Sequence, residues 1–488
     1  MNELISINDI PKHTTLEQEK LAAAGRRENF VKAAEMKSDE IVLIPSGCEV
    51  PQPGHDQPHP YYPHPEHLYL LGSAKPGQIL AFAPDEGWVL FTHIQTEDEI
   101  KWTGDTSTTD DVQYQTGIDR VYPLSELKNW LNGKKGANLA VLGHEDFAKK
   151  PADYELETPH GDIVYPFGFT KDAQLERRLR AIVSDLRTRR DDVELSRTMD
   201  AVRITQVAFN LVMNMTFTGK TELNIADALE AVMKANGMRR PSFPTIVGSG
   251  PHAAILHGEP TSRIISSNET VLIDAGVEAR NGGISDLTRV IPALKFSPGQ
   301  RDLYQVVLDA QEEAILNCRD GVDFRDVHMK TMKKIAEGLI QIGILKGNAE
   351  DRVADGSCAL FFSHGLGHLV GENVHNLGKR YGPGREKSKQ PGVDCLRADI
   401  NLMARTVVTI EPGVYLAPWV LKNPKWRNKY KNVVNWRMVD ELLETGSAGY
   451  GVRIEDMVAV ASNGQPPIVL THGIPKSVSE IEELRWDL

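Results

Sequence analysis

The chain has 488 residues, 41% of them hydrophobic, and a formal net charge of −12 at pH 7. This length exceeds what a single hydrophobic core usually serves, so we expect two or more domains. The acidic balance disfavours nucleic acid and anionic membranes as partners, because both are bound through clustered basic side chains.

The first part of the chain alternates short apolar runs with helical stretches, a pattern typical of an α/β domain. The clearest strand-like runs are at 41–44, 79–82 and 139–142. From about 171 the composition changes to a charged helical stretch at 175–186. We therefore predict an N-terminal domain over 1–170 and a C-terminal domain over 171–488, with a linker helix at about 171–190, in a chain of the α/β (α+β) class.

The N-terminal residues and the cysteines indicate the cellular compartment. The N-terminus lacks a basic start followed by an apolar run, and no stretch is as long as a membrane span. The four cysteines are widely spaced without a Cys-x-x-Cys pair, which argues against a disulfide framework and a structural zinc site. We expect a soluble protein, without membrane partners, in the reducing cytoplasm.

Four carboxylates of the C-terminal domain lie at the edges of apolar, strand-like runs: Asp274, Asp286, Glu411 and Glu455. Any one of them could be an ordinary turn residue. Together they are costly beside a core unless cations compensate them. With a histidine from the segment 364–368 they form a candidate site for two divalent ions. Oxygen and imidazole donors without thiolate suit Mn²⁺ well, and Co²⁺ or Zn²⁺ less selectively.

Side-chain spacing predicts how these acids are oriented. Helices predicted at about 223–236, 299–318 and 326–343 alternate with the strands that carry them. Arg453 and Glu455 share one face of a period-two pattern. The sequence Arg-Asn-Gly-Gly at 280–283 is strong turn chemistry between two apolar runs and predicts a hairpin. Asp274 and Asp286 would then lie on adjacent strands.

One segment departs from the acidic balance. Between Ala417 and Arg437 there are six basic residues and no acid, interleaved with four aromatic residues. A solvated insertion or a subunit contact would explain this composition. The functional alternative is a flap over an anionic end of the substrate.

Taken together, the motifs resemble the creatinase/aminopeptidase P/prolidase family, whose catalytic domain has the pita-bread fold. The resemblance runs from Asp191 to about Leu488 and, more weakly, over the N-terminal domain at 65–72. Its specific stretches, in the family's order, are 241–250, 255–257, 272–276, 285–289, 364–375, 409–413 and 452–456. It implies an N-terminal creatinase-like α/β domain followed by a pita-bread metallopeptidase domain.

The resemblance also implies roles for individual residues. Two of the implied metal ligands, Asp286 and Glu455, are expected to bridge both ions. The full implied ligand set is Asp274, Asp286, His368, Glu411 and Glu455. The implied catalytic residues are His257, His364 and His375 on the substrate side, Arg453 beside the metals, and Glu411 as proton acceptor. A structural role is the alternative for each histidine alone.

Two departures from the family pattern affect these expectations. Asp274 and Asp286 are separated by one position more than is usual, and Gly283 stands where the family commonly has an aromatic residue. The extra residue could sit in the turn or in a bulge. Otherwise it would shift the register and turn Asp286 away from the metals. Asn376 stands where the family often has Asp, which would affect hydrogen bonding around the ligands.

The implied activity is hydrolysis of an N-terminal Xaa-Pro peptide bond, with Xaa-Pro aminopeptidase favoured. Arg397 resembles the prolidase arginine that captures the proline carboxylate as a substrate-binding residue. An Xaa-Pro dipeptidase acting only on dipeptides is therefore an alternative, and a non-catalytic pita-bread binding protein is an alternative of another class. We expect proline-containing peptides as partners and a homodimer or homotetramer.

Overall fold

A computed structural model describes residues 3–4, 6–143, 172–378, 380–382 and 384–485. They form two compact units, one of residues 14–188 and one that joins residues 1–13 to 189–488. The predicted domain boundary at 170–171 lies outside the described residues. The predicted linker region carries a helix, Ala173–Leu186, which groups with the N-terminal unit.

The N-terminal unit is built on a mixed five-stranded sheet in the order β4-β3-β2-β1-β5. The strands are β1 (Glu40–Pro45), β2 (Ile79–Ala83), β3 (Gly87–Thr92), β4 (Val121–Pro123) and β5 (Asn138–Val141). The helices are α1 (Leu16–Ala34), α2 (Pro65–Leu71), α3 (Glu97–Thr103), α4 (Thr109–Thr116), α5 (Leu127–Gly133) and α6 (Ala173–Leu186). The three predicted strand-like runs are thus confirmed as β1, β2 and β5.

Both faces of this sheet are buried. In β1, Val42 and Ile44 belong to one apolar cluster and Ile41 and Leu43 to another. A strand covered on both faces needs apolar residues at every position, which explains the unbroken run in the sequence.

The C-terminal unit holds the remaining elements. Its strands are β6 (Met238–Pro241), β7 (Ile246–Ser249), β8 (Thr270–Ala275), β9 (Val277–Ala279), β10 (Leu287–Pro292), β11 (Arg380–Tyr381), β12 (Ala398–Asp399), β13 (Val407–Ile410), β14 (Gly413–Tyr415), β15 (Gly451–Arg453), β16 (Asp456–Ala459) and β17 (Ile468–Val469). Its helices are α7 (Asp192–Met213), α8 (Glu222–Ala235), α9 (Pro298–Asn317), α10 (Phe324–Gln341), α11 (Ala349–Ala354), α12 (Pro418–Leu421), α13 (Pro424–Lys429), α14 (Trp436–Thr445) and α15 (Val478–Leu484).

The long helices of this unit begin at side chains that cap them. Thr221 before α8 and Ser297 before α9 each accept a hydrogen bond from the backbone N–H three residues on. The three helices predicted at about 223–236, 299–318 and 326–343 are confirmed to within two residues as α8, α9 and α10. Among the described residues, no helix combines the length and apolar character needed to cross a bilayer.

The first pair of acids is carried by one antiparallel ladder. β8 pairs with β10 so that Asp274 lies opposite Thr288. The same register continues through the Glu278–Ile284 bridge. Because successive side chains alternate between faces, Asp274 and Asp286 project on the same side. The extra residue between them therefore lies in the turn, and the register is not shifted.

The turn itself explains why Gly283 replaces a larger residue. The Ala279 N–H donates to the Gly283 carbonyl at 2.8 Å, which closes a hairpin whose loop includes Gly282 with φ of 84°. A Cβ on Gly283 would stand 1.8 Å from the Arg197 carbonyl oxygen of α7. The hairpin thus rests directly on the backbone of α7, and only glycine fits there.

The second pair of acids lies on a second ladder. β13 pairs with β16 so that Ile410 lies opposite Asp456, and β14 pairs with β15 so that Gly413 lies opposite Arg453. Both pairs share one register, which places Glu411 and Glu455 opposite each other between the two strand pairs. The predicted shared face of Arg453 and Glu455 agrees with this pairing.

We predict that Gly283→Val destabilises the protein by roughly 1–3 kcal/mol, because its side chain overlaps the α7 backbone. Thermal melting of the variant would show a lower Tm. Gly282→Asn is the matched control, because space around Gly282 is open and Asn tolerates a positive φ. Equal melting temperatures for the two variants would contradict the close packing described above.

Candidate metal centre

The two ladders bring the predicted ligands together around one histidine. His368 Nε2 lies 3.3 Å from Asp286 Oδ2 and 3.5 Å from Glu411 Oε1. Ligand atoms of Asp286, His368 and Glu455 all lie within 4.8 Å of one another. All five predicted ligands, Asp274 included, line one cavity of about 610 Å³. Their action as ligands stays a prediction, but the structure places them where one site could use them.

Burial and the close packing of these acids raise the pKa values of three of them. Burial raises the pKa of Asp274 to about 6, against the opposing effect of Arg453, and raises that of Glu411 to about 7. Burial and repulsion from Asp286, Glu411 and Asp274 raise the pKa of Glu455 well above its ordinary value. The protein alone therefore does not balance the negative charge that these carboxylates carry when ionised.

Two further observations indicate that these residues suit divalent cations. Asp274 Oδ1 is buried and accepts no hydrogen bond within the described part of the chain. The donors are carboxylate oxygens and one imidazole nitrogen, which suit hard or borderline divalent ions. A cation would both occupy the free oxygen and remove the repulsion between the acids.

His368 is oriented for ligation by its surroundings. Its backbone N–H donates to Thr409 Oγ1 at 3.0 Å, and the Thr409 N–H donates to the His368 carbonyl at 3.0 Å. His368 Nδ1 lies 3.2 Å from the Leu369 carbonyl and can donate its proton there, which would leave Nε2, on the side of the acids, as the nitrogen that binds a cation. Asn376 is fully buried, and its N–H donates to the same Leu369 carbonyl.

Arg453 holds the two ladders in a fixed relation. The buried guanidinium donates to Asp274 Oδ2 at 2.5 Å, to the Tyr415 hydroxyl at 2.8 Å and to Thr288 Oγ1 at 3.1 Å. Thr288 in turn donates to Glu455 Oε2 at 2.6 Å. Arg453 therefore compensates the charge of Asp274 and, through Thr288, positions Glu455. The negative charge of the other acids would be compensated by bound ions.

The three predicted substrate-side histidines line the same cavity but differ in their hydrogen bonding. Tyr415 donates to His364 Nε2 at 2.9 Å while His364 Nδ1 donates to the Gly365 carbonyl at 2.9 Å, so both ring nitrogens are engaged. Burial lowers the pKa of His364 and of His375 to about 3, and it lowers that of His257. All three rings are thus neutral near pH 7, and neutral imidazole still has one N–H to donate.

Arg397 also lines the cavity, where the sequence resemblance placed a substrate cation. It is half-buried, and within the described part of the chain it forms no ion pair. Its positive charge contributes to lowering the pKa of His257 and His375. A free cation is therefore available to a substrate anion in this cavity.

Three further residues organise the site and were not predicted from the sequence: Thr288, Tyr415 and Glu222. Thr288 and Tyr415 share ladder faces with Asp286 and Glu411, a parity that could have identified them. Glu222 lies far from the ligands along the chain, and no sequence signal indicated its role.

Glu222 holds the two ends of the loop that carries His257. It is fully buried at the start of α8 and accepts hydrogen bonds from the Ser249 N–H and hydroxyl, both at 2.8 Å. It also accepts from the Thr261 N–H at 3.1 Å and hydroxyl at 2.6 Å, and lies 3.1 Å from His252 Nδ1. One carboxylate thus determines the path of residues 249–261.

Comparisons with known proteins agree with this geometry. Residues 197–462 match the model of metallopeptidase family M24, and residues 23–141 match the N-terminal domain of aminopeptidase P. A probable Xaa-Pro aminopeptidase of Neosartorya fischeri is 32% identical over 88% of this chain and 89% of its own length. The Xaa-Pro aminopeptidase of Escherichia coli is 27% identical over 94% of this chain and 96% of its own length.

Solved structures give the same result. Aminopeptidase PepP of Pseudomonas aeruginosa superposes with a TM-score of 0.77 at 26% identity, covering 96% of this chain and 98% of that chain. A zinc-substituted E. coli aminopeptidase P in complex with product has the same TM-score, identity and coverage. The fold is therefore the expected one, with an aminopeptidase P N-terminal domain and a pita-bread domain. The chain belongs to metallopeptidase family M24.

We predict that Mn²⁺ raises the Tm of the metal-free protein, because the ions bind the folded cluster and not the unfolded chain. At a free Mn²⁺ concentration of one hundred times Kd, binding increases the free energy of unfolding by about 2.7 kcal/mol. Glu455→Gln should lose most of that rise. Its metal-free Tm should equal or exceed that of the wild type, since one buried negative charge is removed.

Scanning calorimetry after dialysis against EDTA, with and without MnCl₂, measures both effects. Glu312→Gln, which neutralises an exposed acid on α9, is the control and should behave as the wild type does. An undiminished response to Mn²⁺ in Glu455→Gln would show that this acid is no ligand.

We predict that Glu222→Gln loosens residues 249–261, because an amide nitrogen cannot accept the hydrogen bonds that one carboxylate oxygen accepts. The buried donors left unpaired should cost about 1–3 kcal/mol. Hydrogen–deuterium exchange of this loop should accelerate relative to Glu230→Gln on the same helix. If the loop exchanges at the same rate in both variants, Glu222 does not hold it.

Proposed function

We propose that this chain is a metal-dependent Xaa-Pro aminopeptidase, which removes the first residue of peptides that have proline second. The observation that carries the proposal is the convergence of four acids and His368 on one cavity beside three neutral histidines. The relatives named as Xaa-Pro aminopeptidases support it. So does membership of a metallopeptidase family.

Asp274, Asp286, His368, Glu411 and Glu455 would hold the ions. Divalent ions held there supply Lewis-acid chemistry, which polarises a carbonyl and activates water near neutral pH. The free α-ammonium, which every such peptide carries, would pair with a carboxylate of the same cavity. The scissile bond then lies in the cavity, within the reach of its neutral side chains.

The protein's own groups manage protons and orientation. Glu411 lies in the cavity beside His368, where it would accept a proton from the attacking water and pass it to the leaving nitrogen. His257 and His375 can each donate an N–H to the carbonyl oxygen as it gains negative charge. His364 is already bonded on both nitrogens, so it orients Tyr415 and Arg453 rather than donating to the substrate.

A second function, Xaa-Pro dipeptidase, is favoured by Arg397. A fixed cation in the cavity could bind the carboxylate of a C-terminal proline, which would restrict substrates to dipeptides. A non-catalytic binding protein is disfavoured, because all five candidate ligands are present and converge.

We further propose Mn²⁺ as the native ion, Co²⁺ or Zn²⁺ being able to replace it, on the evidence of the donor set. The four free cysteines support a reducing, cytoplasmic location, and the acidic charge supports a protein without nucleic-acid or membrane partners. A homodimer or homotetramer remains our expectation for its assembly.

We predict that the Mn²⁺-loaded protein releases alanine from Ala-Pro-Ala and leaves Ala-Ala-Ala intact. Chromatography of the products measures both reactions. Tyr415→Phe should lower kcat/KM by about 10-fold or more, because Arg453 and His364 lose the hydroxyl that links them. Glu312→Gln should be unaffected.

Ala-Pro as a parallel substrate separates the two functions. A dipeptidase would hydrolyse Ala-Pro and not Ala-Pro-Ala. Failure of the Mn²⁺-loaded protein to cleave either peptide would overturn the proposed function altogether.

A further inference from the structure

A second cavity, here called the aromatic cavity, adjoins the site of the proposed reaction. It has a volume of about 810 Å³, and Leu256 and Ser363 line both cavities. Tyr415 also lines it, and the hydroxyl of the same side chain bonds to Arg453 and His364 at the candidate metal centre. The two cavities thus share part of their walls.

One wall of the aromatic cavity comes from the basic, aromatic segment between Ala417 and Arg437. Trp419, Trp426 and Tyr430 line it, and the rings of Trp426 and Tyr430 are stacked with centroids 6.2 Å apart. Trp419 is 55% exposed, an unusual exposure for the largest apolar side chain. Exposed aromatic surface next to a reaction site is typical of ligand-binding walls.

The charge on this wall is positive. Lys429 lines the cavity with its ammonium 4.6 Å from the centre of the Tyr430 ring. Among the described residues it forms no ion pair, whereas Arg427 on the same helix is paired with Asp440. Asp394, an exposed residue, also lines the cavity. A complementary ligand is apolar, and carries a carboxylate at the end that meets Lys429.

The carboxyl-terminal part of a short peptide has this chemistry. In an exopeptidase that binds the α-ammonium at the acid cluster, the residues after the scissile bond extend away from that cluster. The adjoining cavity lies in their reach, and its aromatic rings suit apolar side chains.

We propose that the aromatic cavity binds the residues that follow proline in the substrate, with Lys429 pairing with the terminal carboxylate of peptides long enough to reach it. This inference rests on the proposed aminopeptidase function and adds a preference for longer substrates with apolar side chains and a free carboxyl end.

The test is steady-state kinetics with Ala-Pro-Ala and with a series extended to Ala-Pro-Ala-Ala-Phe, each as free acid and as C-terminal amide. For the wild type we expect kcat/KM to rise along the series, and the longer free acids to exceed their amides about three- to five-fold, as for an exposed ion pair. The preference should appear mainly in KM, because the reacting groups are unchanged.

Two variants assign the effect to the cavity. Lys429→Ala should abolish the preference for free acids, while Lys431→Ala, an exposed lysine of the same segment outside the cavity lining, should retain it. Trp419→Ala should remove most of the benefit of length, while Trp102→Ala, which removes a tryptophan that is 91% exposed elsewhere, should not. Both cavity residues are exposed, so their variants should fold.

The inference is overturned if length and amidation have no effect, or if Lys429→Ala and Lys431→Ala show the same free-acid preference. Those results leave cleavage of Ala-Pro-Ala intact and so leave the proposed function standing. Absence of cleavage of every Xaa-Pro peptide would instead overturn the proposed function, and this inference with it.

Discussion

The constraint on which this structure depends is the burial of neighbouring carboxylates. Asp274, Asp286 and Glu455 are each less than a tenth exposed, and the pKa values of Asp274, Glu411 and Glu455 are raised because burial and mutual repulsion disfavour the ionised forms. Arg453 compensates only part of this charge. The fold therefore keeps an arrangement that is unfavourable without cations, and it does so by making the surrounding backbone rigid.

That rigidity comes from two antiparallel ladders, each in a single register. A slip of one residue in either ladder would turn its acids to the opposite face. Arg289 joins the ladders: its buried guanidinium donates to the Glu455 carbonyl at 2.6 Å and to Asp456 Oδ1 at 2.8 Å. The adjacent Asp456 has its pKa lowered to about 2 by Arg289 and Lys476, against the effect of burial. Two neighbouring acids, Glu455 and Asp456, thus serve opposite purposes, one left for a cation and one already paired.

The environment around the cluster divides the cavity into regions of different charge. The acids attract a positive group and the neutral histidines offer N–H donors. Within the described chain, Arg397 is a free cation in the same cavity and Lys429 is a free cation in the adjoining aromatic cavity. A peptide has the same order of charges, with an ammonium at one end and a carboxylate at the other. This match supports the proposed direction of substrate binding, with the ammonium of the peptide at the acids.

Sequence patterns alone predicted the long helices, the buried strands of the N-terminal unit, the family and the candidate ligands. These follow from periodicity and from motifs whose chemistry is local, such as Asp274 at the end of an apolar run. The folded structure was needed to place the extra residue before Asp286 in the turn, because Gly283 must fit against the Arg197 carbonyl of a distant helix. It alone identified Glu222 as the anchor of the His257 loop and placed Lys429 at a cavity wall. Those relations join residues far apart along the chain, and pairing through space leaves no period or motif in the sequence.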